Sequence, residues 1–331
     1  MKEPASEKPH VKLLRRMLSG DRLALAKLVT LVESDSPDLH EIMEAVYPRG
    51  GRCSSLGITG PPGAGKSTLA DKLIERSRLR ERKVGVIAVD PSSPFSGGAV
   101  LGDRIRMQRH ATDEGVFIRS FGTRGTHGGL SRATADVLRL FDAFGMDDVV
   151  IETVGVGQTE LDIMNIADTT LVVLTPESGD TIQTMKAGLM EIADIFVVNK
   201  ADREGADQMA LELKLMVETS GSSGSAWSAP VLLCQANQDK GIDALVEAIA
   251  EHGEFRAGSD GQRQRREEAV CRHFLGILSH RFQRALEGLA AYDERFQGLL
   301  RDIQAEGGNP YRAAKQFFED LEFAERIFGK E

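Results

Sequence analysis

The sequence predicts an α/β fold: a doubly wound, mostly parallel sheet, with a helical cap before it and a helical arm after it. Three observations predict this. Short runs rich in Val, Ile, Leu and Phe recur between residues 54 and 234. Several are unbroken, VVI, LVVL and FVV, as expected of strands buried on both faces of a parallel sheet. Helical stretches separate most of them, which is βαβ alternation, and the first run enters a helix through a glycine-rich turn of phosphate-binding type.

Residues 11–33 read as helical, with Leu14, Met17 and Leu18, then Leu25, Leu28, Val29 and Val32, on the apolar face. Gly20 and Asp21 mark a stop and a fresh N-cap. Ser36 and Pro37 read as an N-cap with proline at the first helical position, opening a helix that ends before Pro48. Residues 1–50 are therefore expected to be a small helical cap packed on the main domain, with partner binding as the alternative. Strands are expected at 56–59, 84–90, 116–120, 149–153, 170–175, 195–199 and 231–234, and a helix at 69–77, within an α/β domain spanning 51–252. GSSGSAW, 221–227, reads as a flexible loop, and HGEFRAGSDGQ, 252–262, as a turn-rich linker. The remainder, 253–331, reads as helical only. Cys271, Leu275, Leu278, Phe282, Ala285 and Leu289 recur in steps of four and three. Such a stripe fits an arm folded on its own domain or a coiled-coil-like dimer seam. GGNP at 307–310 breaks it before a last helix over about 311–327.

Composition limits the function. A length of 331 residues suggests one large domain and a smaller attachment, at about 150 residues per domain. With 41% apolar and 27% charged residues the balance is globular, which excludes disorder and collagen. The net charge of −9 argues against sequence-independent nucleic-acid binding, which needs basic groups against phosphates. No polybasic cluster favours a membrane surface, and no apolar run approaches the roughly 18 residues of a membrane span. Cys53, Cys234 and Cys271 lie far apart, without CxxC spacing, which points to a reducing compartment. The opening MKEPASEKPH has no apolar h-region, and Glu3 and Glu7 disfavour a transit peptide, so a cytoplasmic location is expected.

The chemistry is carried by motifs. Gly60, Pro61, Pro62, Gly63, Ala64, Gly65, Lys66, Ser67 and Thr68 complete GxxxxGK(S/T) between a strand and a helix. Glycines free the backbone N–H groups to converge on phosphate oxygens, and the helix N-terminus adds positive potential. Lys66 is expected at the β- and γ-phosphates and the Ser67 hydroxyl on Mg²⁺. Asn199, Lys200 and Asp202 form NKxD at a strand end. Guanine presents N1–H and a 2-amino group side by side, and one carboxylate accepts both. Adenine presents an acceptor at N1, and a mismatched buried polar group costs about 1–3 kcal/mol. The pair of motifs therefore selects GTP. Asn199 is expected to touch the purine edge or brace the loop, and Lys200 to lie along ribose and base. Gln235, Ala236 and Asn237 stand where GTPases usually carry Ser-Ala-x, with the Ala236 N–H facing guanine O6. Glu152 and Gly155 end another strand as DxxG with Glu for Asp. The acid is expected on Mg²⁺ and the glycine N–H near the γ-phosphate. Val156 stands where a Ras-like enzyme has its water-orienting Gln, and Gln158 follows two residues later. Asp90 and Asp103 are further acids expected near the phosphates.

VDPSSPFSGGAVLGDRIRM (89–107), FIRSFGTRGTHGGLS (117–131), IETVGVGQTELDI (151–163), ESGDTIQTMKAGLMEIADIFVVNKAD (177–202) and NPYRAA (309–314) closely resemble the MeaB/ArgK/MMAA family of P-loop GTPases. The resemblance covers nearly the whole chain. It implies a GTPase chaperone of adenosylcobalamin-dependent acyl-CoA mutases, slow alone and stimulated by its client, which gates cofactor loading and protects or rescues the mutase. It implies GTP or GDP and Mg²⁺ as ligands, with no cobalamin site on this chain alone. It implies a mutase partner, the adenosyltransferase as a second candidate partner, and a homodimer joined by C-terminal helices, with neither nucleic acid nor membrane as partner. Position by position, Lys66, Asp90, Asp103 and Glu152 would serve catalysis, the last three joining Ser67 around Mg²⁺. Glu177, Asp180, Gln183 and Lys186 would belong to a third switch segment that reports nucleotide state, although an exposed helix lysine is the plainer reading of Lys186. The chain departs from the family in QAN and in GNP where acidic-Pro is usual.

Rival readings are weaker. A kinase for periplasmic amino-acid-binding proteins would need exported partners, and a nickel-insertion GTPase would want a Cys/His cluster.

Overall fold

The computed structural model describes residues 8–90, 108–110, 112–122, 127–153, 166–178, 189–220, 227–258, 260–305 and 308–320. The chain divides into two compact units, Met1–Ala269 and Val270–Glu331.

Each apolar run in the first unit becomes a strand because it can bury both faces. β1 (Ser54–Thr59), β2 (Val84–Asp90), β3 (Val116–Gly122), β4 (Asp148–Thr153), β5 (Thr169–Leu174), β6 (Ile195–Asn199) and β7 (Val231–Cys234) form one sheet in the order β3-β2-β4-β1-β5-β6-β7. Every pairing is parallel. All seven expected strands are present, within two residues at each end. Their connections include α4 (Lys66–Leu79), α5 (His127–Phe144), the short α6 (Leu189–Ile192) and α7 (Ala206–Ser220), and α8 (Ile242–Gly258) follows β7. One face packs Ile58, Val86, Leu171, Val173 and Val197 against Leu69, Ile74 and Leu245 of α4 and α8. The other packs Ile87 and Ile151 against Val137 and Phe141 of α5, and Phe196 and Val198 against Met209 and Leu213 of α7.

The N-terminal helices join the second of these faces. α1 (Pro9–Leu18), α2 (Arg22–Glu33) and α3 (Leu39–Val46) send Leu14, Met17, Leu25, Leu28, Val29, Val32 and Ile42 into one cluster with Leu140 and Phe141 of α5. Asp21 caps α2 as expected, accepting from the Leu23 and Ala24 N–H groups at 2.9 and 3.1 Å. Arg119 of the edge strand β3 pairs with Glu33, and Arg22 donates to the Val116 carbonyl at 2.6 Å. The third helix differs from expectation. It starts at Leu39 rather than at Pro37, because Ser36 closes a turn first, its Oγ accepting from the Asp38 N–H at 3.3 Å.

The expected linker at 252–262 is also different: α8 continues to Gly258 and a new helix starts at Asp260. Tertiary contacts outweigh Gly253 and Gly258 in α8. His252 is fully buried, with Nδ1 2.8 Å from Thr169 Oγ1 and Nε2 3.2 Å from Asp194. Trp227 lies against His252 and Phe255, and Arg256 pairs with Asp168 at 2.8 Å. The rest of the expected loop, 221–226, lies outside the described residues.

α9 (Asp260–Tyr292) carries the expected stripe into the second unit, where Phe274, Leu275 and Leu278 are exposed. The expected single helix up to residue 306 is two. Asp293 starts α10 (Glu294–Gln304) by accepting from the Phe296 N–H at 2.9 Å. Asn309 then caps α11 (Pro310–Glu319), through the N–H groups of Tyr311 and Arg312. Phe296 and Phe317 meet edge to face at 5.6 Å. Residues 321–331, the end of the expected last helix, lie outside the described residues.

Candidate nucleotide site

Ligands of open parallel sheets bind beyond the carboxyl ends of the strands, and the predicted site residues that the structure describes gather there. β1 ends at Thr59 and the chain turns through 60–65 into α4. Gly60, Gly63 and Gly65 hold φ of +143°, +77° and +90°. A side chain at Gly60 would strike the Val173 carbonyl, and one at Gly65 the Asn199 amide. This loop therefore needs glycine for space as well as conformation. Pro62, Gly63 and Thr68 face solvent, while Lys66 and Ser67 are buried.

Lys66 folds back over its own loop. Its Nζ donates to the carbonyls of Gly60 at 2.7 Å and Pro61 at 3.0 Å. A buried ammonium needs such acceptors, and phosphate oxygens are the natural substitutes for them. Ser67 Oγ donates to Glu152 Oε1 at 2.6 Å. The sheet register sets this contact, since Glu152 on β4 lies opposite Ile58 on β1. A hydroxyl and a carboxylate, both hard oxygen donors, suit Mg²⁺. Thr59 and Thr153 close the floor with their hydroxyls 3.2 Å apart.

NKxD falls at the end of β6. Asn199 braces two loops at once: Nδ2 donates to the Ala64 carbonyl at 2.8 Å, and Oδ1 accepts from the Ala236 N–H at 3.2 Å. Of the two roles expected for Asn199, this is the brace. The Ala236 N–H, expected at guanine O6, is engaged by Asn199. Lys200 takes a left-handed conformation at φ +57°, and the Ala201 N–H donates to the Cys234 carbonyl at 3.0 Å, joining this loop to β7. Asp202 is solvent-exposed, as is Asn237. Gln235 is half-buried, its backbone paired with Lys240.

Asp90 is the last residue of β2, beside Gly122 of β3. Asp103, Gly155, Asp180, Gln183 and Lys186 lie outside the described residues, as do Val156 and Gln158. Glu177 is described. It pairs with Arg203, one residue beyond Asp202. That hydrogen bond holds the Glu177 carboxyl down, to about 2. No motif marks Arg203, so only the folded chain reveals that the segment opening at Glu177 starts against the base loop.

The family model for Methylmalonyl Co-A mutase-associated GTPase MeaB matches residues 25–287. The chain belongs to this MeaB family. A Pyrococcus abyssi protein is 48% identical over 315 residues, 93% of this chain and 96% of that one. The Escherichia coli GTPase ArgK is 39% identical over 247 residues, 71% of this chain and 73% of ArgK. The mitochondrial methylmalonic aciduria type A homolog of Caenorhabditis briggsae is 33% identical over 283 residues, 80% of this chain and 68% of that one. A solved structure described as LAO/AO transport system kinase superposes with a TM-score of 0.68 at 28% identity, covering 97% of this chain and all of that one. The MeaB match spans the phosphate turn, the β4 acid and the NKxD loop together. Among the described residues no three metal-binding side chains cluster in the manner of a nickel site, and no helix is long and apolar enough to cross a membrane.

Proposed function

We propose that this MeaB-family GTPase hydrolyses GTP with Mg²⁺ at the site above. We propose further that it uses the cycle to gate adenosylcobalamin loading of a methylmalonyl-CoA mutase or close relative. The observation that carries the hydrolytic reading is the buried Ser67–Glu152 contact beside Lys66. Ser67, Glu152 and Asp90 are the residues that would hold the metal, with Asp103 as a third acid. Bound Mg²⁺ supplies charge neutralisation of the β- and γ-phosphate oxygens. The chain does the rest. The loop N–H groups at 63–66 orient the phosphates, and the helix N-terminus favours their charge. Lys66 exchanges the Gly60 and Pro61 carbonyls for phosphate oxygens. Asp202 accepts from guanine N1–H and the 2-amino group, on a loop held in place by Asn199.

Val156 cannot orient water, so hydrolysis alone is slow, well below about 1 s⁻¹ by analogy with Ras. The mutase reading rests on the family description, which names methylmalonyl Co-A mutase, and the name of the nematode relative, which refers to methylmalonic aciduria, is in keeping with it. The segment opening at Glu177 is the proposed transmitter, with Asp180, Gln183 and Lys186 as effectors. The α9 stripe is proposed as the seam of a homodimer.

The test is GTP turnover with and without an adenosylcobalamin-dependent mutase. Stimulation by the mutase, lost in Lys186→Ala while basal turnover persists, is the expected result. Absence of stimulation by any such mutase overturns the chaperone reading. Transfer of the γ-phosphoryl group to an added binding protein would favour kinase activity instead.

A further inference from the structure

Asp71 lies four residues after Ser67 on α4, so the two side chains share one helix face a turn apart. It is buried, with only 4% of its side chain exposed. A buried carboxylate is costly unless it is paired, and a guanidinium and an imidazole from one short turn lie against it. Arg109 donates to Oδ2, and His110 Nε2 lies 3.1 Å from Oδ1. That turn, Gln108–His110, lies on the connection between β2 and β3. The connection leaves the sheet at Asp90 and meets α4 at Asp71 through this turn. Arg109 is itself mostly exposed, at 67%. The carboxylate is thus the fixed member, and the turn is what it fastens.

We propose that Asp71 is a positioning residue of the metal side of the nucleotide site. It fastens the Gln108–His110 turn of the β2–β3 connection to α4 one turn behind Ser67, so that the chain leading from Asp90 is held on the helix that presents the Ser67 hydroxyl. This rests on the Mg²⁺–GTP reading above. No motif contains Asp71, Arg109 or His110, and the role needs no contact between them and the nucleotide.

The experiment measures the Mg²⁺ concentration for half-maximal GTP hydrolysis, together with GDP affinity in EDTA and the melting temperature. Asp71→Asn keeps the volume and removes the charge. Half-maximal Mg²⁺ is expected to rise on the order of tenfold, the size of one charge-assisted contact, with GDP affinity in EDTA unchanged. Arg109→Gln should give the same shift, and the double variant no more than either single one, as for two members of one contact. If GDP affinity in EDTA falls as far as the Mg²⁺ response, Asp71 merely supports the phosphate loop and the proposal is overturned. An unchanged Mg²⁺ response, or additive single variants, also overturns it. Failure of the unmodified chain to hydrolyse GTP in Mg²⁺ would instead refute the reading of the site. Should Asp71→Asn melt too low to assay, the Arg109→Gln comparison decides alone.

Discussion

Asp202 faces solvent on the loop after β6, where a base can dock edge-on against its carboxylate. Asp202→Asn exchanges one acceptor for a donor. The amide oxygen still accepts from N1–H, but its NH₂ now opposes the 2-amino group of guanine and suits the 2-oxo group of xanthine. GTP affinity should fall, and xanthosine triphosphate affinity rise, by on the order of tenfold or more, from about 1–3 kcal/mol per mismatched group. Competition against a fluorescent GDP analogue measures both, and equal binding of ATP and GTP by the unmodified chain would refute the base site. The thiols also separate residue by residue. Burial pushes Cys53 and Cys234 up to about 12, with the neighbouring Asp142 charge adding to the effect at Cys53. Thiolate is the reactive species, and Cys271 is the exposed cysteine. Iodoacetamide at pH 8 should therefore spare Cys53 and Cys234 in the folded protein and reach all three thiols in urea, as counted by intact mass. Lys66 and Ser67 are legible in sequence because a short contiguous motif places them. The Asn199 brace and the Arg203–Glu177 pair are not, since their partners are set only by folding.

At the scale of elements, Asp142 near the end of α5 closes the entry to β1. Its carboxylate accepts from the backbone N–H of Gly51 and, at 3.1 Å each, of Arg52 and Cys53. Asp142→Ala strands three donors in a part-buried turn and should cost about 2–3 kcal/mol, read from urea unfolding. Leu28→Ala in α2 should cost about 2–5 kcal/mol, because α2 is part of the same core as α5. The seven strands were legible because both-face burial leaves unbroken apolar runs such as LVVL, which no surface element imitates. Helix ends were less so. Ser36 and Asp38 both suit a cap, and backbone geometry decides between them. Gly253 and Gly258 suggested a linker, yet the anchoring of His252 under Trp227 holds the helix through the first and up to the second. Asp293 lies beyond the last stripe position, Leu289, and only its bond to the Phe296 N–H marks the break.

Over the whole molecule, carboxylates held in ionised contacts set the response to acid. Asp21 is lowered first by the Ala24 N–H, Glu41 by Lys8, Asp113 by Arg78 and Asp239 by Arg76. Their ordinary values are 3.8, and 4.5 for Glu41. A depressed folded value means stability that is complete above the ordinary one and lost as pH falls through the folded one. The melting temperature should therefore stay level from about pH 7 to 5 and drop below about pH 4, as calorimetry would record. A rise on acidification would contradict these contacts. The proposed seam predicts that Leu275→Asp, at an exposed α9 position, converts a dimer to monomers in sedimentation. One consequence of Asn199 concerns the divisibility of the ligand. Its amide spans the Ala64 carbonyl and the Ala236 N–H, so the halves of a nucleotide would settle on surfaces that share a single side chain. Guanosine and tripolyphosphate, offered as separate fragments, should then assist one another. Saturating guanosine tightens tripolyphosphate, tripolyphosphate tightens guanosine by the same factor, and in Asn199→Ala each fragment becomes indifferent to the other.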